Sequence, residues 1–170
     1  MDGIYANIRI NHSTKKDTRI WIIVTALIFL FAFMLISIVW FLGYHGRFTK
    51  FVGKLSASTT YAYDNDSLTA EVNGETYRVS ADNMYGIFGY LSLNNSGRES
   101  NKIPEGEPVT LDYGNGTIMK LWDISAGNGH HYLYVQYTDL NGKIYSYISY
   151  KTTLDTVITR YLTYGNDQIG

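Results

Sequence analysis

The apolar residues of this chain concentrate in one run, residues 20–42 (IWIIVTALIFLFAFMLISIVWFL), which contains no charged side chain. As an α-helix this run spans about 34 Å, and the hydrocarbon core of a bilayer is roughly 30 Å thick. A buried core helix rarely stays apolar on every face for so many turns. A signal peptide has a shorter apolar stretch and a cleavage site of small residues. The pattern therefore predicts a retained signal anchor that crosses a membrane once.

Aromatic and basic residues flank the run. Trp21 and Trp40 lie near its two ends, where interfacial aromatic residues are expected. Residues 43–55 mix aromatic and basic side chains, so they are expected to form a linker at the headgroup level, with Phe48 and Phe51 dipping into the lipid. An ordinary stop-transfer flank would have the same composition. The basic side chains expected at this membrane surface are Arg47, Lys50 and Lys54.

Beyond the linker, alternating polar and apolar positions predict β-structure. Residues 56–63 (SASTTYAY) are expected to form a lead-in strand or an extended linker. The Asn-Gly pair at 73–74 separates two alternating runs and predicts a two-residue hairpin turn that pairs Ala70 with Tyr77. Glu71 and Arg78 would then face water. The face predicted to be buried consists of Leu68, Ala70, Val72, Tyr77 and Val79.

The pattern then becomes helical, returns to alternation, and becomes helical again. Residues 81–94 place apolar side chains at helical spacing, and Thr153 can cap a second helix with an apolar stripe of Leu154, Val157, Ile158, Tyr161 and Leu162. Between them, residues 108–113, 117–124, 131–138 and 143–150 predict four strands. The order ββ-α-ββββ-α indicates an α+β domain with a mostly antiparallel sheet over residues 56–164. Residues 1–19 and 165–170 are expected to be tails.

One turn leaves the strand register open. Residues 139–142 (DLNG) suit a type I turn followed by a left-handed glycine, whereas a two-residue Asn-Gly turn would shift the pairing by one position. The choice decides whether Tyr145 and Tyr147 share a face with Val135 and Tyr137.

Charge divides the chain into three parts. Residues 1–19 hold four basic against two acidic side chains, residues 43–54 hold three basic ones, and the chain from Leu55 onward holds 7 basic against 13 acidic. An acidic distal domain argues against nucleic acid as a partner. The flanking charges are nearly balanced, but long domains translocate largely regardless of charge. We therefore expect a cytosolic N-terminus and a distal domain outside the cell.

Residues that carry familiar chemistry are scarce. The chain has no cysteine, which excludes disulfides, thiolate metal sites and thiol nucleophiles. His130 and His131 are adjacent, and neighbours on a strand point to opposite faces, so they are not expected to chelate one metal. No phosphate loop or serine-nucleophile motif is present. We expect no metal, no cofactor and no catalytic residue.

Tyrosine is the unusual component, with 16 residues of this type. Aromatic ladders bind proteins or carbohydrates because a flat ring buries much area at little entropic cost. Tyrosine is also a good strand former, so the same residues can be purely structural. The candidate binding residues are Tyr132, Tyr134, Tyr145 and Tyr147.

Four short stretches support a resemblance to a class of proteins. Residues 112–117 (DYGNGT), 121–124 (LWDI), 135–138 (VQYT) and 141–147 (NGKIYSY) resemble uncharacterised single-pass membrane-anchored proteins of Gram-positive gut bacteria. The resemblance implies a bacterial cell-surface location and no activity.

These observations together predict an interaction module on the outer surface of a cell membrane. Its partners would be the lipid bilayer and a protein, a peptide or a wall polysaccharide, bound through a sheet edge or the tyrosine face. Two alternatives remain open, namely an enzyme whose site is assembled from scattered residues and a small accessory subunit of a membrane complex.

Overall fold

The structure is a computed structural model that describes residues 3–92, 98–127, 129–163 and 166–169, with side chains from Thr18 onward. A single helix, α1, extends over Gly3–Asn65. The chain divides into two units, Met1–Arg47 and Phe48–Gly170. The remaining elements are β1 (Thr69–Val72), β2 (Glu75–Arg78), α2 (Ala81–Ser92), β3 (Arg98–Glu99), β4 (Val109–Asp112), β5 (Ile118–Ala126), β6 (His130–Thr138), β7 (Ile144–Ser149), α3 (Leu154–Val157), a π-helix (Ile158–Thr163) and β8 (Asp167–Gln168).

The strands form one antiparallel sheet in the order β3-β7-β6-β5-β4-β1-β2-β8. The α+β class and the antiparallel sheet are confirmed. The predicted order ββ-α-ββββ-α matches in part, because the two-residue strands β3 and β8 were not predicted and lie at the two edges of the sheet. The predicted C-terminal tail contains β8, which pairs with β2 through Arg78 and Asp167. Residues 165 and 170 of that tail lie outside the described residues.

The hairpin between β1 and β2 has the predicted register. Asn73 and Gly74 both have positive φ, and Ala70 pairs with Tyr77. Glu71 and Arg78 are exposed, and Tyr77 is half-buried at the end of the apolar face. The remaining side chains predicted on that face, Leu68, Ala70, Val72 and Val79, are buried.

The turn between β6 and β7 resolves the open register. The amide of Gly142 donates to the carbonyl of Asp139 at 2.9 Å, and Gly142 has φ +74°. This is the type I turn with a left-handed glycine. Tyr137 therefore pairs with Tyr145, and Val135 pairs with Tyr147. Because side chains alternate along each strand, all four lie on one face of the sheet.

The C-terminal part of α1 covers this face. Its apolar side chains recur at helical spacing, and those of Phe48, Phe51, Leu55 and Ala62 are buried. Phe51 packs against Tyr137, Tyr145 and Tyr147, with ring centroids 5.2–6.2 Å apart. The expectation of a linker over 43–55 and of a strand or extended linker over 56–63 is therefore wrong. The domain begins at Phe48 rather than at residue 56.

Two further helical segments complete this layer. Met84, Ile87 and Leu91 of α2 are buried, as the helical pattern of residues 81–94 predicts, and the part of that range beyond Ser92 lies outside the described residues. The side chain of Thr153 caps α3 by accepting from the amide of Thr156. The α-helix continues as a π-helix after one turn, and the side chains of the predicted stripe that become fully buried are Val157 and Leu162.

The opposite face of the sheet is partly covered by residues 100–108. The indole of Trp122 donates to the carbonyl of Gly106 at 3.2 Å, and the hydroxyl of Tyr134 donates to the carbonyl of Ser100 at 3.0 Å. The two rings contact each other edge to face, 5.5 Å apart. These contacts leave both faces buried at the centre of β6, so Leu133, Tyr134 and Val135 are all buried.

We expect the distal domain to require residues 47–55 for folding. Burying Phe48, Phe51 and Leu55 contributes roughly 5–9 kcal/mol, which is as large as the stability of a typical domain. A fragment of residues 47–170 should give a cooperative thermal transition by circular dichroism. A fragment of residues 56–170 should give none. A cooperative transition of equal midpoint in both fragments would show that the helix end is dispensable.

Candidate functional site

Three of the four candidate binding tyrosines are interior side chains. Tyr134, Tyr145 and Tyr147 are 0%, 7% and 5% exposed. Tyr145 and Tyr147 lie under α1, whereas Tyr134 lies on the other face, beneath residues 100–108. The interpretation of these three rings as a binding surface is therefore wrong. Buried and exposed positions do not alternate at the centre of β6, because the middle of the sheet is covered on both faces.

Tyr132 is placed differently from the other three. It is half-buried, and its ring meets that of Tyr150 edge to face at 4.9 Å. Tyr150 is exposed. Among the candidates, only Tyr132 thus contributes to a surface, as one of a pair of rings.

The residues predicted at a membrane interface fall into two groups. Trp21 and Trp40 are largely exposed, and Arg47 and Lys50 are exposed, so their predicted place at a membrane interface stays a prediction. Lys54 lies 3.8 Å from the buried carboxylate of Asp139. The prediction that Phe48 and Phe51 dip into lipid is wrong, because their rings are buried in the core of the distal domain.

A buried polar network joins α1 to the sheet. The hydroxyls of Ser58 and Tyr137 share a hydrogen bond of 2.8 Å, and Thr117 donates to Ser58 at 2.9 Å. Burial raises the pKa of Tyr137 and that of the fully buried Tyr113. Both hydroxyls therefore stay neutral at physiological pH and act as hydrogen-bonding groups. Their partners are satisfied within the domain, so the network is structural.

A groove of about 460 Å³ lies between the sheet and the start of α3. The imidazole Nδ1 of His131 lies 2.6 Å from a carboxylate oxygen of Asp123. Both side chains are partly exposed, at 50% and 37%. The groove is lined by Asp123, His131, Thr153, Leu154, Asp155 and Ile158.

Strand register brings the histidine and the aspartate together. Asp123 pairs with Leu133 and Ser125 pairs with His131, so Asp123 and His131 are diagonal neighbours on the helix-covered face. His130 pairs with Ala126 and lies on the opposite face, which agrees with the expectation that the two histidines diverge. The sequence analysis missed Asp123 because the β5–β6 pairing was not assigned. The two glycines at 127 and 129 would have been the sequence signal for this hairpin, in which the amide of Gly129 donates to the carbonyl of Ala126 at 3.0 Å.

The groove offers charge and hydrogen bonds rather than a complete catalytic set. Asp123 can orient the imidazole of His131, as a carboxylate does in many acid–base pairs. Among the described lining residues, Thr153 carries the hydroxyl, and it is engaged in capping α3 through Thr156. Among the residues that the structure describes, no group of three or more histidine, cysteine or acidic side chains is arranged to hold a metal ion.

Comparison with known proteins adds no constraint on this site, because neither protein-family models, nor curated proteins, nor solved structures match the chain.

We expect truncation of the interior tyrosines to destabilise the domain. Tyr134→Ala and Tyr147→Ala should each lower the free energy of unfolding by roughly 3–5 kcal/mol, because each removes a buried ring. The matched control is Tyr150→Ala, which should cost about 0.5 kcal/mol, because that ring is exposed. Chemical denaturation of the full chain in detergent measures all three. Equal losses in all three variants would contradict the assigned burial.

Proposed function

We propose that this chain is a single-pass membrane protein whose C-terminal α+β domain is an interaction module outside the cell. The observation that carries the proposal is the character of α1. Within Thr18–Asn65 it is long and apolar enough to cross a membrane, and the most apolar window has no buried residue. Such a surface is costly in water and favourable in lipid.

Exposure along residues 20–42 supports the bilayer as the first partner. Large apolar side chains point outward in every direction around the helix, from Ile20 to Leu42. A helix of a water-soluble domain would bury one stripe against the core. Ser37, a rare polar residue in the run, satisfies its hydroxyl by donating to the carbonyl of Phe33 at 2.8 Å, as expected for a hydroxyl in lipid.

The proposed orientation places the N-terminus in the cytosol and residues 48–170 outside. The flanking charges are nearly balanced and leave the preference to the translocation of the long distal domain. The resemblance to membrane-anchored proteins of Gram-positive gut bacteria favours the same side. The domain would then meet a protein or polysaccharide partner at the cell surface.

Binding is favoured over catalysis by the contents of the groove. Its polar side chains are two carboxylates and one imidazole, and the lining hydroxyl is already engaged as a helix cap. An imidazole and a carboxylate can move protons, but a reaction would also require groups that stabilise the charge developing on the substrate. The described lining residues include no lysine or arginine for this purpose, and the hydroxyl of Thr153 is engaged. Recognition requires only the charges and apolar contacts that are present.

Single-cysteine labelling should reveal the topology, because the natural chain contains no cysteine. Ser125→Cys, at an exposed position of β5, should react with a membrane-impermeant maleimide on intact cells. Ser13→Cys should react only after permeabilisation. Leu121→Cys, at a fully buried position, is the control for a folded domain and should react only in denaturant.

Two results would contradict the proposal in different ways. Labelling of Ser13→Cys on intact cells, with protection of Ser125→Cys, would reverse the orientation. Recovery of the protein in the soluble fraction after lysis without detergent would exclude the membrane anchor itself.

A further inference from the structure

We infer that the groove beside α3 binds a lysine or arginine side chain of a protein partner. This inference rests on the proposed role of the domain as an interaction module and names the chemistry of its ligand. The juxtaposition that carries it is a pair of carboxylates, Asp123 and Asp155, in the lining of a groove that also includes the apolar side chains of Leu154 and Ile158.

The charge of the groove selects a cation. Asp123 and Asp155 both line it, and neither a lysine nor an arginine is among the lining residues that the structure describes. His131 satisfies one oxygen of Asp123, which leaves the other carboxylate oxygens of the pair to accept hydrogen bonds from a ligand. The surrounding domain is also acidic, with 13 acidic and 7 basic side chains from Leu55 onward. That excess concentrates cations near the surface.

The apolar residues of the groove lining favour a cation that is carried by an aliphatic side chain. Leu154 and Ile158 are half-buried and present methyl groups to the groove. Lysine and arginine lay their methylene stems along such surfaces while the charged head meets a carboxylate. A metal ion or a small inorganic cation would gain nothing from this wall. The chemistry therefore fits a basic side chain better than a free ion.

The size and exposure of the groove fit a side chain that remains attached to a polypeptide. A volume of about 460 Å³ is at the lower end of the range for organic ligands. Asp123 and His131 are partly exposed and Asp155 is exposed, so the groove is open enough for the rest of the partner to stay outside. Exposed charge pairs each contribute little. Tight capture would therefore require neighbouring contacts in addition to the groove.

The test uses the full chain in nanodiscs of phosphatidylcholine, a zwitterionic lipid that does not attract basic peptides by net charge. The probe is the peptide acetyl-Gly-Lys-Gly-amide, and the neutral comparison peptide carries norleucine in place of lysine. Saturation-transfer NMR should give binding of the lysine peptide at least threefold stronger than that of the norleucine peptide. The advantage should fall as salt is raised to about 0.5 M.

Charge-neutralising variants locate the site. Asp155→Asn should weaken binding of the lysine peptide about threefold or more, and Asp123→Asn provides a second variant in case the first melts early. Glu71→Gln removes the same charge from an exposed position on the opposite face of the sheet and should leave binding unchanged. Equal binding of the two peptides, or equal weakening by Asp155→Asn and Glu71→Gln, would overturn the inference. Neither result would bear on membrane anchoring or topology, which the cysteine-labelling experiment tests separately.

Discussion

The contact between Phe51 and three tyrosines of the sheet is the interaction on which the distal domain depends. Phe51 lies against Tyr137, Tyr145 and Tyr147, and Phe48 adds an edge-to-face contact with Tyr147 at 5.4 Å. These rings fill the space between α1 and strands β6 and β7. The tyrosine content of the last hairpin is thereby explained in part, since Tyr137, Tyr145 and Tyr147 pack against a helix rather than against a partner.

This contact makes the segment after the apolar run part of the domain core rather than a linker. Residues 20–42 are apolar on all sides, whereas residues 48–62 are apolar on one side only, and α1 contains both patterns. The change of pattern marks the change of environment, from the proposed lipid to the interior of the domain. Polar contacts reinforce the second part, since the carbonyl of Lys54 and the hydroxyl of Ser58 both meet the hydroxyl of Tyr137. The apolar run and the residues that the domain buries after it therefore belong to one helix, α1.

Sequence patterns predicted those features of the fold that depend on local chemistry. The Asn-Gly turn, the α2 periodicity and the Thr153 cap are each determined by a few neighbouring residues, and each was confirmed. The turn after β6 could be narrowed to two registers, and the amide of Gly142 selects one. The predictions that failed depend on contacts between residues that are far apart in the sequence. Residues 56–63 alternate in a way that suits a strand, yet Leu55, Ser58, Thr59 and Ala62 also lie at helical spacing, and packing on the sheet selects the helix.

The candidate site was less predictable than the fold for the same reason. Burial of Tyr134 depends on residues 100–108 crossing the sheet, and the groove depends on the β5–β6 register that places Asp123 beside His131. Neither relation is visible in a single run of residues. The tyrosine content drew attention to the last hairpin. The polar side chains that line the groove lie instead near the end of β5, at the beginning of β6 and at the start of α3.

Hydrogen exchange of the full chain in nanodiscs tests most directly whether the end of α1 is part of the domain core. Amides that open only with global unfolding share one exchange free energy, whereas amides of a linker exchange early. If the end of α1 is part of the core, the amides of residues 51–62 will exchange together with those of β5 and β6, and mild denaturant will accelerate all of them equally. Exchange of residues 51–62 well before β5 and β6, with the sheet still protected, would show that the end of α1 is not part of the core.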